Sequence, residues 1–209
     1  MADTKISALA AVAAVLAAQE FAVNDAGTSK KATALQIKTW MNPFAFLGRT
    51  QLGAGATNIT VSFTAQSGFF IVVGHIAGYS AGDIARLRIN GDAGNNYSTA
   101  SSEPADAVPT TTISTSGMIL GEITQTTARS PLYALVHKPS AGQIAYMATL
   151  QGDGSAAAAT AITMIQSVAL WANTVDLISS FVLNSGANGS NLNTGSYLEV
   201  YGIKNAASA

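Results

Sequence analysis

Apolar and polar residues alternate over most of the chain after residue 44, which is the pattern of half-buried β-strands. Residues 58–63, NITVSF, alternate strictly, and residues 85–89, ARLRI, do so again. Residues 69–76 form a continuous apolar run, which predicts a strand buried on both faces. Further strands are predicted at residues 118–124, 132–137, 144–150, 162–171, 175–183 and 197–203.

Clusters of Gly, Pro, Asn and Ser separate most of these segments. Asn90-Gly91 is a hairpin signal after the strand at 85–89. Residues 98–112, rich in Ser, Thr, Ala and Pro, predict a long surface loop, and SGANGSNLNTG at 185–195 predicts a second. Eight or nine strands without intervening helices argue against a parallel βαβ fold. They predict a mainly β chain, folded as an antiparallel β-sandwich of jelly-roll type.

The first twenty residues have a different period. Ser7 is a candidate N-cap for an alanine-rich helix with Leu9, Val12 and Leu16 on one face. This apolar stripe is too thin to hold a helix by itself, so the segment must dock on something. The run stops at Gln19, which is too short for a membrane span, and we therefore expect no membrane insertion.

A short strand is predicted over residues 20–23, a turn over 24–29, and a second short helix from Thr33 to Trp40. Pieces of this size are too small to form a domain. The composition changes at Asn42-Pro43. We therefore expect an N-terminal docking arm, extended or with short helices, over residues 1–43 and one domain over residues 44–209.

The chain is poor in charge. Only 10% of its 209 residues are charged, whereas soluble domains carry about 25%. With a net charge of −1 and no basic cluster, it does not fit nucleic-acid binding. A lone subunit with so few charges has a poorly solvated surface, so a homo-oligomer is expected.

No arrangement of residues predicts catalysis, a metal site or a cofactor. There is no cysteine, and no characteristic sequence spacing links His75 or His137 to each other or to a carboxylate. The carboxylates are scattered, so no glycosidase pair is evident. Tyr197, Glu199 and Tyr201 share one face of the last predicted strand, which we interpret as a candidate subunit interface.

The arm carries a resemblance. DTKISAL at 3–9, EFAV at 20–23 and GTSKKAT at 27–33 resemble the N-terminal segment of many tailed-bacteriophage virion proteins. The closing strand, ending in YGI at 201–203, is similar to the last strand of small phage jelly-roll domains. The resemblance implies that the arm attaches the protein to other virion proteins through Asp3, Thr4, Lys5, Ile6, Ser7, Leu9, Phe21, Val23, Lys30 and Lys31.

This resemblance implies a non-enzymatic structural protein on the particle surface, displayed as a homotrimer. A capsid decoration or head-surface protein is favoured, because the arm leads directly into a single domain and no shaft repeat separates them. The alternatives are a short tail fibre or receptor-binding protein that contacts a host-surface glycan, a polysaccharide-cleaving spike, and a cellular carbohydrate-binding β-sandwich.

Overall fold

The computed structural model describes residues 20–25, 28–33, 44–81, 83–102, 110–123, 130–153, 163–185 and 190–203. Those residues contain fourteen β-strands and no helix, so the prediction of a mainly β chain is confirmed for them. The chain divides into two compact units, Met1–Pro43 and Phe44–Ala209. The two helices predicted in the arm lie outside the described residues.

The described part of the first unit is one antiparallel hairpin. Strand β1 (Glu20–Asp25) pairs with β2 (Thr28–Thr33), and Phe21 lies opposite Ala32. The ammonium group of Lys31 lies 2.9 Å from a carboxylate oxygen of Glu20. Both side chains are exposed, so this ion pair contributes little to stability.

The second unit contains twelve described strands. In chain order they are β3 (Phe44–Gln51), β4 (Asn58–Gln66), β5 (Gly68–Ile76), β6 (Asp83–Ile89), β7 (Tyr97–Ser102), β8 (Thr110–Thr115), β9 (Met118–Ile123), β10 (Ser130–Lys138), β11 (Ala145–Asp153), β12 (Thr163–Trp171), β13 (Ile178–Ser185) and β14 (Tyr197–Ile203).

These strands form two antiparallel sheets. The eight-stranded sheet has the order β3-β14-β5-β10-β11-β12-β7-β8, and the four-stranded sheet has the order β4-β13-β6-β9. Buried apolar residues of both sheets belong to one hydrophobic core. Phe70 of the eight-stranded sheet meets Phe181 of the four-stranded sheet edge to face, with 5.5 Å between ring centroids. Both rings are fully buried, which favours folding by about 1.5–3 kcal/mol for each side chain.

All nine strands predicted from the alternation are present in the structure, with ends that differ by up to three residues. Three further strands of the second unit, β3, β7 and β8, were not predicted, and neither was β2 in the first unit. The turn predicted over residues 24–29 is wrong for 24–25 and 28–29, which belong to β1 and β2. The expectation of a loop over residues 98–112 is wrong for 98–102 and 110–112, which belong to β7 and β8. Their Ser- and Thr-rich sequence lacks an apolar alternation, and pairing with β12 and with each other makes them strands.

The hairpin predicted at Asn90-Gly91 is also wrong, although the turn is there. Both residues have positive φ, 54° and 66°. The side-chain amide of Asn90 donates to the Leu177 carbonyl at 2.7 Å, and its oxygen accepts from the Ser179 amide at 2.8 Å. The turn is thereby fastened to β13, and the chain passes from β6 in one sheet to β7 in the other.

Candidate interaction face

The eight-stranded sheet has a second face that points away from the core, here called the outer face. In β10 the even-numbered residues are buried, and the odd-numbered residues lie on the outer face. Strand pairing aligns outer-face residues of all eight strands into a central row. From edge to edge, the row is Phe46, Tyr201, Ile71, Leu135, Ala148, Val168, Ala100 and Thr111. No charged residue lies in it.

Large apolar side chains stand exposed on this face. Eight of them, each 38–60% exposed, lie on four neighbouring strands: Phe69, Tyr133, Leu135, Tyr146, Leu150, Met164, Val168 and Leu170. If each exposes about half of roughly 200 Å², together they present on the order of 800 Å² of apolar surface. The largest patch on an ordinary monomer is about 300–600 Å². The outer face therefore has the size of a binding surface.

Strand β5 shows why the sequence did not reveal this face. Residues 69–76 were predicted to be buried on both sides. Phe70 and Val72 are indeed buried, but Phe69 is 47% exposed and Ile71 is half-buried. The prediction is wrong for the outer side, because only the inner side of β5 packs against the four-stranded sheet.

A shallow depression of about 560 Å³ lies in the outer face. Its lining includes the small side chains of Ala100 and Ala148, flanked by the larger Leu135, Tyr146 and Val168. Because alanine ends at Cβ, these two positions are low points between taller neighbours. At one side the ring of His137 stacks on Phe69, with 3.8 Å between centroids and 3° between planes.

Polar groups collect at one edge of the face, on β3 and β14. Arg49 donates to Glu199 at 2.9 Å, and its guanidinium lies 4.4 Å from the ring centroid of Tyr197. The hydroxyl of Tyr201 donates to the other oxygen of Glu199 at 3.0 Å. That hydrogen bond raises the pKa of Tyr201, and partial burial and the Glu199 charge act in the same direction.

The structure brings the three predicted interface residues together. Tyr197, Glu199 and Tyr201 lie on the outer face, whereas Leu198 and Val200 are fully buried in the core. Glu199 finds its partners within its own chain, so it does not need a neighbouring subunit to satisfy it. Subunit contact by these three residues stays a prediction.

Sequence reasoning missed the larger part of the face, on β10 to β12. The available signal was that both alternate sets of residues in these strands are apolar. In β10, Leu132 and Val136 face the core, and Tyr133 and Leu135 face outward. A strand that is apolar on both sides, in a sheet with one core, must expose apolar surface or cover it with a partner.

The predicted anchoring residues divide into two groups. Asp3, Thr4, Lys5, Ile6, Ser7 and Leu9 lie outside the described residues. Phe21 and Val23 lie on β1, and Lys30 and Lys31 on β2, where Val23 pairs with Lys30. Phe21 is 41% exposed and Lys31 is also exposed, so both are accessible on the hairpin.

The two histidines do not form a catalytic pair. His75 and His137 both lie on the outer face, on neighbouring strands, and His75 pairs with Pro131. His137 follows Pro131 by six positions along β10, which places the two histidine rings roughly 20 Å apart. Among the described residues, no group of three or more His, Cys, Asp or Glu is placed to hold a metal ion.

Asp92 belongs to a structural cluster at one end of the sheets. Its carboxylate accepts from the indole N–H of Trp171 at 2.7 Å, from Asn96 at 2.9 Å and from the Gly94 amide at 2.8 Å. Burial raises the pKa of Asp92, but these hydrogen bonds outweigh it, and the pKa lies below its usual value. Trp171 itself is fully buried.

Lys138 also lies close to the indole of Trp171. Its ammonium lies 5.3 Å from the Trp171 ring and donates to the carbonyls of Gln143 and Asn173. Burial lowers the pKa of Lys138, while the nearby Asp176 acts to raise it. The hydrogen bonds and the ring satisfy this buried cation, and we assign it a structural role.

Among the residues whose burial is described, the corresponding side of the four-stranded sheet has no exposed large apolar side chain. Arg86 and Arg88 lie on it, and both hold Ser116: Arg86 donates to its hydroxyl at 2.9 Å and Arg88 to its carbonyl at 2.6 Å. Burial and the Arg86 charge lower the pKa of Arg88. The extended apolar surface is therefore a property of the eight-stranded sheet and not of both sheets.

Comparison with protein-family models and with curated proteins gives no match for this chain. Within the described residues, no helix is both long enough and apolar enough to span a membrane. The outer face must therefore be interpreted from its own geometry.

Proposed function

We propose that the protein is a non-enzymatic structural protein of a bacteriophage particle, of the capsid-decoration or head-surface type. The arm attaches it to other virion proteins, and residues 44–209 form a trimeric sandwich of jelly-roll type on the particle surface. The observation that carries this proposal is the apolar outer face of the eight-stranded sheet.

The path of the chain supports the jelly-roll type. Successive strands β3 to β7 alternate between the eight-stranded and the four-stranded sheet, and β12, β13 and β14 do so again. A simple meander keeps consecutive strands side by side in one sheet. Repeated crossing between two antiparallel sheets is typical of Greek-key sandwiches, to which jelly rolls belong.

The size and composition of the outer face support self-association. About 800 Å² per partner is the size of a standard protein interface, and the exposed apolar surface is on that order. The chain has few charges with which to keep such a surface dispersed in water. Burial between copies removes the apolar surface from solvent without requiring any other partner.

The arm supports attachment to the particle. Its sequence resembles the N-terminal segment of phage virion proteins, and its described part is a two-stranded hairpin. A lone hairpin is marginally stable in water, so it gains order when it docks on another surface. Exposed Phe21 offers an apolar contact for such docking.

An arm-deletion experiment tests this function. A chain that begins at Phe44 should unfold cooperatively, with the circular dichroism of a β protein. It should fail to bind particles that lack the protein, whereas the full chain should bind them. Normal particle binding by the shortened chain would show that the arm is not the anchor.

The number of copies per particle distinguishes a head-surface protein from a tail protein. A head-surface protein should occur in a number related to that of the capsid shell subunits, as measured by quantitative mass spectrometry of purified particles. A few copies per particle would instead identify a short tail fibre or receptor-binding protein.

A further inference from the structure

We propose that neighbouring copies associate head to tail, with Phe46 of one copy inserted into the outer-face depression of the next. This inference rests on the proposed homotrimer and adds how its subunits fit together. In the proposed trimer each copy gives one aromatic side chain to the next copy and receives one from the previous copy, and the three contacts close a ring. The occupant of the outer face is therefore a second copy of this chain.

Phe46 has the properties of an inserting side chain. It lies on β3, an edge strand of the eight-stranded sheet, and is 61% exposed. Its ring packs on Tyr201, with 5.5 Å between centroids, which restricts its rotamers before association. An aromatic ring held in this way loses little conformational entropy when it is buried, which favours its use as an interface anchor.

The depression has the properties of the receiving site. Its volume is about 560 Å³, and its walls are largely apolar. Water over such a surface is released when an apolar side chain enters, which is the main driving force for association. Ala100 and Ala148 leave the space, and Leu135 and Val168 offer contacts to an inserted ring.

The two features are too far apart to meet within one copy. Phe46 is on the first strand of the sheet, and Ala148 is on the fifth. Four strand spacings of about 4.8 Å separate them by roughly 20 Å. A projection and a cavity at different places on one surface can meet between copies either reciprocally about a two-fold axis or head to tail, and in the proposed trimer the contacts are head to tail and close a ring.

A thiol cross-linking experiment tests this arrangement, because the chain has no cysteine of its own. One thiol is introduced beside the projection, by Phe44→Cys on the same strand. The second is introduced at the rim of the depression, by Ser98→Cys. The double variant, treated with a short bis-maleimide and denatured, should run as covalent dimers and trimers. Each single variant, treated in the same way, should run as a monomer.

The outcomes separate this inference from the proposed function. Covalent dimers without trimers would indicate a two-fold contact and overturn the head-to-tail ring. Monomers on the gel, together with a trimer by light scattering before denaturation, would place the interface elsewhere and leave the trimer standing. A monomer by light scattering for the unmodified chain would overturn both.

A second variant fills the depression directly. Ala148→Trp places a large side chain on a solvent-facing position, so the single subunit should keep its fold and its far-ultraviolet circular dichroism. The trimer should be lost at concentrations where the unmodified chain is fully associated. An unchanged trimer would show that the depression does not receive a neighbouring side chain.

Discussion

Leu135 lies at the centre of the outer face, and its replacement by alanine tests whether this face holds copies together. The side chain is 60% exposed in the single subunit. Full burial of a leucine contributes about 1.5–3 kcal/mol, so covering the exposed part contributes about 1–2 kcal/mol per subunit. If three subunits associate as proposed, this change should cost the assembly about 3–6 kcal/mol, which lowers its association constant by a factor of roughly 10² to 10⁴.

The stability of the single subunit should hardly change. Its outer face is in contact with water, and substitutions at such positions usually alter stability by about 0.5 kcal/mol or less. Val175→Ala is the matched control, because Val175 is 80% exposed but lies in the connection between β12 and β13. It should leave both association and folding unchanged.

The assay is sedimentation equilibrium over a dilution series, with urea unfolding of the dissociated subunit measured in parallel. We expect the Leu135 variant to dissociate at a higher concentration than the unmodified chain and the Val175 variant. Equal dissociation of all three chains would refute the assignment of the outer face as the contact between copies. A large loss of subunit stability in the Leu135 variant would mean that the residue supports the fold instead.

Two further predictions concern polar groups. Asp92→Asn should lower the free energy of unfolding by about 1–3 kcal/mol, because it weakens the hydrogen bond that the carboxylate accepts from buried Trp171. Urea unfolding followed by Trp171 fluorescence measures this free energy. The pKa of Asp92 is lower in the folded state than in the unfolded state, where it is near 3.8. The ionised carboxylate therefore stabilises the fold above that value, and this stabilisation is lost as pH falls through the folded pKa. The Asn variant should lose less stability than the unmodified chain on acidification, and an equal loss would contradict this. Glu199→Gln should bring the pKa of Tyr201 down towards its ordinary value, as measured by ultraviolet titration, and an unchanged pKa would show that the hydrogen bond is absent in solution.

Local alternation was sufficient to find most of the strands. Nine segments predicted from apolar alternation or from a continuous apolar run became strands, because each can bury one side against a second layer. The alternation also placed Tyr197, Glu199 and Tyr201 together on one side of the last strand, and Leu198 and Val200 on its other side are buried in the structure. Residues two positions apart in a strand lie on the same side of it, so the sequence alone shows which residues are buried together.

The pairing between strands could not be predicted from local alternation. Residues 98–102 have no apolar alternation, and they form a strand because β12 and β8 lie on either side with free backbone groups. Arg49 and Glu199 form an ion pair across 150 positions of sequence, because β3 and β14 are neighbours in the sheet. Backbone hydrogen bonds between distant segments are non-local, and no short window of sequence contains them.

The outer face itself was decided only by the tertiary structure. The sequence by itself determined that β10 and β12 are apolar on both sides, and it predicted an oligomer from the shortage of charge. Which side would meet the four-stranded sheet depended on how the two sheets pack. Four strands can cover only the inner side of eight, so Leu135 and Val168 remain exposed although their sequence is that of a core.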